Sequence, residues 1–172
     1  MLRQKAFTLL AAPLCLWQPE YGPLSPAWSP DHQILATTKV NERFATPEGA
    51  NYTLFLNGRP AYPKPEKSRW FSAYTNQHTF LTELEWAPDS QQLAFFEKIY
   101  DWEYTDPYNH DFDGRVTKNR YYLVIVSRTG NAAGYSIDQA PTNPTVAWHG
   151  SSKVALNGRI FDLQANRPGP IN

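Results

Sequence analysis

Short apolar segments separated by turn residues run along most of the chain, and they predict an all-β protein. Many of them are rich in β-branched and aromatic residues and are too short for ordinary helices, which favours strands. Two Asn-Gly pairs, at 57–58 and 157–158, predict tight hairpin turns. The predicted strands lie at residues 34–40, 52–56, 70–74, 80–86, 93–100, 120–126, 134–137, 154–156 and 159–163.

One segment of this pattern is repeated along the chain. In residues 27–36 and 85–94, a Trp is followed two residues later by Pro-Asp, and Leu-Ala closes the segment. Pro fixes φ in a tight turn and Asp can accept backbone amides, so each copy predicts a β-hairpin anchored by a Trp. A degenerate copy at 147–156 is one residue shorter and lacks Pro-Asp. The repeat residues are Trp28, Pro30, Asp31, Trp86, Pro88, Asp89 and Trp148.

The repeat resembles that of TolB-like, or WD-type, β-propellers, whose signature is Trp-Ser-Pro-Asp-Gly followed by Leu-Ala. Residues 28–31 match this signature, residues 86–89 match it with Ala for Ser, and His32 and Ser90 replace the Gly. The resemblance covers residues 24–165 and implies three sheets, each an antiparallel four-stranded blade. It also implies that the three repeat Trp side chains are buried at equivalent positions.

Three blades are fewer than the roughly four to eight of closed propellers. The chain could therefore form an incomplete or open propeller-like arc, a ring completed by a partner, or a flattened array of three sheets. Open sheet edges would also allow a homo-oligomer. Residues 21–172 are predicted to form this single domain.

The first twenty residues allow two interpretations. Residues 1–5 are basic and residues 6–17 are apolar, which is the order found in a signal peptide, although no good cleavage site follows. The apolar segment is too short to span a membrane, so no stable membrane insertion is expected. Export predicts a periplasmic or secreted protein. The alternative is a cytoplasmic protein in which residues 6–17 form a strand that closes the fold.

Charge and composition exclude several classes of function. Sixteen basic residues balance sixteen acidic ones, which gives no support for nucleic acid as a partner. A single cysteine rules out an internal disulfide framework. The four histidines have no ligand spacing and no nucleophile–base pair can be identified, so we expect neither a cofactor nor an enzyme.

The segment at 100–113 has the strongest functional pattern in the chain, because it combines carboxylates with aromatic side chains. We expect a long loop that acts as a binding arm, since loops often carry function and Tyr and Trp dominate binding hot spots. If Lys98 is taken as the only cation of this segment, the arm is predicted to be acidic and its partner to have a basic surface. Alternatively, the aromatic side chains fold back onto the protein. The candidate partner-binding residues are Tyr100, Asp101, Trp102, Glu103, Tyr104, Asp106, Tyr108, His110, Asp111 and Phe112.

Within the arm, Asn109, Asp111 and Asp113 alternate as in the first half of a calcium loop, and Gly114 follows. Arg120 stands where such a loop places its bidentate Glu. Because Asp-Gly before a strand is also ordinary hairpin chemistry, a hairpin turn is the competing interpretation. Calcium is therefore a candidate ligand only, and no metal is included in the predicted function.

These patterns predict a non-enzymatic module that binds another protein. The small size, the predicted export and the truncated repeat resemble periplasmic immunity proteins that inhibit secreted effectors. An envelope enzyme is a second kind of partner. The alternative is a propeller of the bacterial envelope that binds a carbohydrate or another small ligand on exposed aromatic side chains.

Overall fold

The computed structural model describes residues 24–40, 52–63, 74–104, 114–165 and 171, with the side chains of 74–77, 102–104 and 114–117 left out. These residues contain strands and turns but no helix, so the prediction of an all-β protein is confirmed. The strands are β1 (Ala27–Trp28), β2 (Leu35–Val40), β3 (Tyr52–Leu56), β4 (Arg59–Tyr62), β5 (Tyr74–Phe80), β6 (Glu85–Trp86), β7 (Gln92–Tyr104), β8 (Gly114–Ser127), β9 (Ala132–Ile137), β10 (Val146–Trp148), β11 (Lys153–Leu156) and β12 (Arg159–Asp162).

The strands form three antiparallel sheets, as predicted. Sheet 1 has the order β1-β2-β3-β4, sheet 2 has β5-β7-β8-β9 with β6 also paired to β7, and sheet 3 has β10-β11-β12. The prediction of four strands in every sheet is therefore correct only for sheet 1. In sheet 2 the predicted strand 80–86 is broken at residues 81–84, where the Thr82 hydroxyl accepts the amide of Phe96. As a result, β5 and β6 lie along different halves of β7.

The first two repeats fold into the same hairpin turn. The Ser29 amide donates to the Ile34 oxygen at 2.9 Å, and the Ala87 amide donates to the Gln92 oxygen at 2.8 Å. His32 and Ser90 occupy the position of the signature Gly, and both have positive φ, 54° and 63°. This left-handed conformation is uncommon for residues other than Gly, so the turn keeps its shape without the residue that usually makes it.

The Asp of each turn has the predicted role. The Asp31 carboxylate accepts the Gln33 amide at 3.1 Å, and the Asp89 carboxylate accepts the Gln91 amide at 3.0 Å. The Asn-Gly pairs also form the predicted hairpins, with φ of 48° and 76° at residues 57–58 and 48° and 81° at 157–158. Asn-Gly suits such turns because both of its residues tolerate positive φ.

The core consists of two apolar layers, one on each side of sheet 2. One layer lies between sheets 1 and 2 and includes Leu54, Leu93 and Phe95. The other lies between sheets 2 and 3 and includes Phe96 and Val154. Because side chains alternate along a strand, β7 contributes Leu93, Phe95 and Ile99 to the first layer and Ala94 and Phe96 to the second. Sheet 2 is thus buried on both faces.

The repeat Trp side chains connect consecutive sheets. The Trp86 indole donates to the main-chain oxygen of Ala27 at 3.0 Å, and the Trp148 indole donates to that of Glu85 at 2.8 Å. Each acceptor precedes the Trp of the preceding repeat. The prediction that all three Trp side chains are buried is wrong: Trp86 and Trp148 are half-buried, and Trp28 is 54% exposed. Trp28 is exposed because no sheet of the described chain precedes sheet 1.

Substituting Trp86 should separate the contribution of this hydrogen bond from that of packing. Trp86→Phe keeps an aromatic ring but removes the donor, so we expect a loss of about 1 kcal/mol in the free energy of unfolding. Trp86→Ala also removes the ring from the layer between sheets 1 and 2, and should lower stability by about 3 kcal/mol or more. Urea unfolding of both variants would measure the difference. Equal losses for Phe and Ala would show that packing contributes nothing.

The Asp31 turn is also tied to distant parts of the chain. The Arg128 guanidinium donates to the Asp31 carboxylate at 2.8 Å, and the Asp31 amide donates to the Ser90 hydroxyl at 3.0 Å. The hydrogen bond from the Ser29 hydroxyl, followed by the Gln33 amide and Arg128, lowers the pKa of Asp31 from 3.8 to about 2. This carboxylate therefore favours the folded state above pH 3.8, and its contribution is lost as the pH falls toward 2.

Asp31→Asn should therefore flatten the decrease in stability between pH 4 and pH 2. Asp89→Asn is the matched control, since Asp89 holds the equivalent turn but has Ala87 in place of Ser29 and forms no ion pair with Arg128. Thermal unfolding across this pH range would give the two slopes. If both variants flattened the curve equally, the contacts of Asp31 with Ser29 and Arg128 would have no specific effect.

Candidate functional site

The candidate site is a long antiparallel ribbon that extends from sheet 2. We define the ribbon as β5 together with residues 97–104 of β7 and 114–122 of β8. Pairing between β7 and β8 continues to Tyr104 opposite Gly114. On the other side of β8, β9 ends opposite Tyr121. Residues 114–120 of β8 therefore form an edge that no strand of the described chain covers.

The prediction of a long loop at residues 100–113 is wrong for residues 100–104, which are strand. Residues 101–104 continue β7, and residues 114–119 belong to β8. The register of the two strands shifts between Asp101 and Trp102. The strands remain paired on both sides of this irregularity. The polar and charged residues of this segment concealed its strand character, because polar residues are compatible with a strand whose faces are exposed.

Two contacts stiffen the base of the ribbon. Arg120 donates two hydrogen bonds to the Asp101 carboxylate, at 2.7 and 3.1 Å, across the β7–β8 pair. Such a bidentate pair fixes geometry as well as adding attraction. The Lys98 amine also lies 4.9 Å from the centre of the Tyr100 ring. The ribbon therefore leaves the sheet as an ordered element.

The burial of Tyr100 corrects one of the predicted contacts. Tyr100 has no exposed surface and is among the largest fully buried side chains, so it is part of the interior and cannot contact a partner in this state. Asp101 remains partly exposed, but its carboxylate is engaged by Arg120. The periodicity of β7 explains both positions, since neighbouring residues point to opposite faces.

Three of the remaining predicted contacts lie at the far end of the ribbon. Trp102, Glu103 and Tyr104 are the last residues of β7, and their side chains are not described. The segment between the strands, residues 105–113, lies outside the described residues. It contains the predicted contacts Asp106, Tyr108, His110, Asp111 and Phe112, and the calcium candidates Asn109, Asp111 and Asp113.

The register of the ribbon changes the predicted charge. Lys118 lies opposite Asp101, and Arg115 lies opposite Glu103. Between residues 98 and 120 there are five acidic and four basic residues. The acidic excess is therefore one, which is smaller than the count with Lys98 as the only cation predicted, because that count left out the three cations of β8. Cross-strand pairs of opposite charge stabilise a ribbon, so the presence of these charged residues is explained without a strongly basic partner.

A buried polar cluster that was not predicted from the sequence lies on β7, at the point where the ribbon begins. Glu97 is fully buried, yet it accepts a hydrogen bond from the Tyr62 hydroxyl and lies 3.2 Å from Nδ1 of His78. Burial, followed by the charge of Glu97, raises the pKa of Tyr62, which keeps that hydroxyl protonated as a donor. The cluster joins β4 of sheet 1 to β5 and β7 of sheet 2.

The sequence contained a signal for this cluster. Glu97 is in phase with Leu93, Phe95 and Ile99, which all face the layer between sheets 1 and 2. A carboxylate at a core-facing position needs partners because an unpaired buried charge is costly. The three polar groups face one another, so the cluster acts as a polar link between two sheets. No group of side chains suited to a metal ion occurs in the described part of the chain.

Comparison of the chain with protein-family models, curated proteins and solved structures finds no match. The resemblance to propeller repeats therefore depends on the residues quoted above. None of the described residues forms a helix long and apolar enough to cross a membrane.

Tyr62→Phe should test whether the buried cluster stabilises the fold. The substitution removes one donor from a buried carboxylate, so we expect a loss of about 2 kcal/mol in the free energy of unfolding. Tyr121→Phe is the control, because the Tyr121 ring packs on Phe96 and none of the described residues bonds its hydroxyl. Denaturant unfolding would compare them. A similar small loss for both would show that the link is not stabilising.

Proposed function

We propose that this chain is a non-enzymatic protein-binding module of the inhibitor or immunity type, built on an open propeller-like arc. The observation that carries the proposal is the ribbon, in which β7 and β8 have 13 and 14 residues. The remaining strands of the same sheet have between two and seven residues. An extension of this length is not needed to build the sheet, which supports a role in recognition.

The exposed edge of β8 supports recognition by strand addition. An extended segment of a partner could pair with residues 114–120, because an uncovered edge presents main-chain donors and acceptors. The side chains of Lys118 and Asn119, both exposed, would then lie beside the added strand. The stiff base supports the same function, since an ordered element loses less conformational entropy when it binds.

The near balance of charge changes the expected partner. With Lys118 and Arg115 opposite the acidic residues of β7, the ribbon needs no strongly basic surface on its target. Acidic residues are in excess only in segment 105–113. We therefore propose that the edge of β8 supplies main-chain pairing and that segment 105–113 supplies specificity.

Replacing segment 105–113 by Asn-Gly should weaken partner binding without unfolding the protein. The paired residues Tyr104 and Gly114 would then flank a two-residue loop, for which Asn-Gly is well suited. We expect a loss of affinity of at least about 30-fold, as for a binding hot spot. The measurement is calorimetric titration with a partner captured at one-to-one stoichiometry from cell extract.

The matched control is the same replacement in sheet 1. Val40 and Tyr52 are also paired, so Asn-Gly can replace residues 41–51 in an equivalent hairpin. This variant should bind the partner as strongly as the wild type. Undiminished affinity in the variant that lacks 105–113, with its fold intact, would contradict the proposed role of the ribbon.

A further inference from the structure

The two contacts between sheets within the chain are copies of one interface. In each, the indole of a repeat Trp donates to the residue that precedes the Trp of the previous sheet: Trp86 to Ala27 and Trp148 to Glu85. The acceptor equivalent to these two in sheet 3 is Ala147, and the donor equivalent in sheet 1 is Trp28. The chain therefore carries one further donor and one further acceptor position of the same kind.

The apolar residues of the repeat follow the same rule. Leu93 and Val154 each pair with the Trp of their own repeat and face the preceding sheet. Ala36 and Ala94, one residue later in the repeat, face the following sheet. By this rule Leu35 faces away from sheet 2 on sheet 1, and Ala155 faces away from sheet 2 on sheet 3. Each end of the array thus presents one half of the repeated interface.

The outward face of sheet 1 is mostly apolar and partly exposed, and it also carries Lys39, whose amine lies 5.0 Å from the centre of the Phe55 ring. Trp28 is 54% exposed, and Leu35, Thr37 and Phe55 are half-buried beside it. Trp28 pairs with Leu35, and Thr37 pairs with Phe55, so these side chains share a face. No sheet of the described chain packs on them.

The outward face of sheet 3 has complementary features. Ala147 pairs with Ala155, which pairs with Ile160, so these three residues also share a face. Ile160 is 53% exposed, and it and Trp28 are the only large apolar side chains of the described residues with such exposure. Ala155 is only 3% exposed and the Lys153–Asp162 ion pair lies on the same face, so the open position that can receive Trp28 is at the exposed Ala147, beside Ile160.

We propose that a second copy of this chain covers these faces, with sheet 1 of each copy packed on sheet 3 of the other. The Trp28 indole of one copy then donates to the main-chain oxygen of Ala147 in the second copy, as Trp86 and Trp148 do within the chain. This assembly is independent of the ribbon, so either proposal can fail without the other.

The number of copies follows from closure. A head-to-tail contact adds one copy after another. The copies form a ring if the rotation between them closes, and an open filament if it does not. Two copies of three sheets make a ring of six, which is inside the range of roughly four to eight blades of closed propellers. One copy falls below this range and three copies exceed it. The inferred assembly is therefore a two-fold symmetric dimer.

Sedimentation velocity of the full chain tests this assembly directly. We expect a dimer for the wild type, and monomers for Thr37→Arg on the sheet 1 face and for Ile160→Arg on the sheet 3 face. Each Arg would bury an unpaired charge, so the dimer Kd should rise by at least about 100-fold. Ser136→Arg, at an exposed position of β9 outside both faces, is the control and should remain dimeric.

Mixing the two Arg variants tests whether the contact is head-to-tail. Each variant keeps one intact face, so the mixture should regain association through one intact contact, with a weaker Kd than the wild type. A mixture that does not associate even at millimolar concentration, while circular dichroism shows both chains folded, overturns the proposal. So does a dimer that only one of the substitutions disrupts, because that result indicates a symmetric contact of a single face.

The indole resonance of Trp28 provides a second readout. The Trp28→Phe spectrum assigns this N–H among the signals of the six Trp residues. On dilution from dimer to monomer, we expect the Trp28 N–H to shift upfield and to exchange faster with solvent, while the Trp86 and Trp148 N–H signals stay unchanged. A wild-type chain that is monomeric at every concentration overturns the proposal, whether Trp28 is then exposed or covered by residues 6–17.

Discussion

The hydrogen bond from a repeat Trp to the preceding sheet is the interaction on which the three-sheet arrangement depends. Apolar layers hold the sheets together, but the hydrophobic effect has no direction and would allow the sheets to slide. The indoles of Trp86 and Trp148 remove that freedom because each must reach one carbonyl, of Ala27 or Glu85. A half-buried indole N–H without a partner would lose part of a hydrogen bond, so the register between sheets is fixed at these two points.

The same constraint explains why sheet 2 can carry a long extension. Its two faces are covered by sheets 1 and 3, so β7 and β8 are held at one end by both apolar layers. Glu97 adds a polar link at the point where the ribbon begins, because Tyr62 of sheet 1 donates to it. Ile99 and Tyr100 beyond that point are still buried, and the Asp101–Arg120 pair that follows them is a contact between charged side chains. The ribbon is thus anchored by burial and stiffened by charge.

The sequence was informative where a residue type has one strong local preference. Pro88, Asp89 and the Asn-Gly pairs determine their turns from within a few residues, and the turns formed as expected. Exposure at Trp28 could not be predicted, because identical repeats have different environments when one of them is at the end of an array. The length of the ribbon was missed because residues of opposite charge that seemed to mark a loop lie opposite one another on two strands, and this placement depends on register.

The exposure of Trp28 and the burial of Glu97 have different causes, because Trp28 belongs to the repeat and Glu97 does not. Trp28 occupies the same repeat position as Trp86 and Trp148, so it is exposed because sheet 1 is at the end of the array. A further sheet packed on sheet 1 would bury it. No described residue of sheet 1 or sheet 3 is a buried carboxylate like Glu97, so the repeat does not account for this residue. Its partners are supplied by this chain alone, from Tyr62 and His78. The features specific to this protein are therefore concentrated in sheet 2, where the polar link and the ribbon share strand β7.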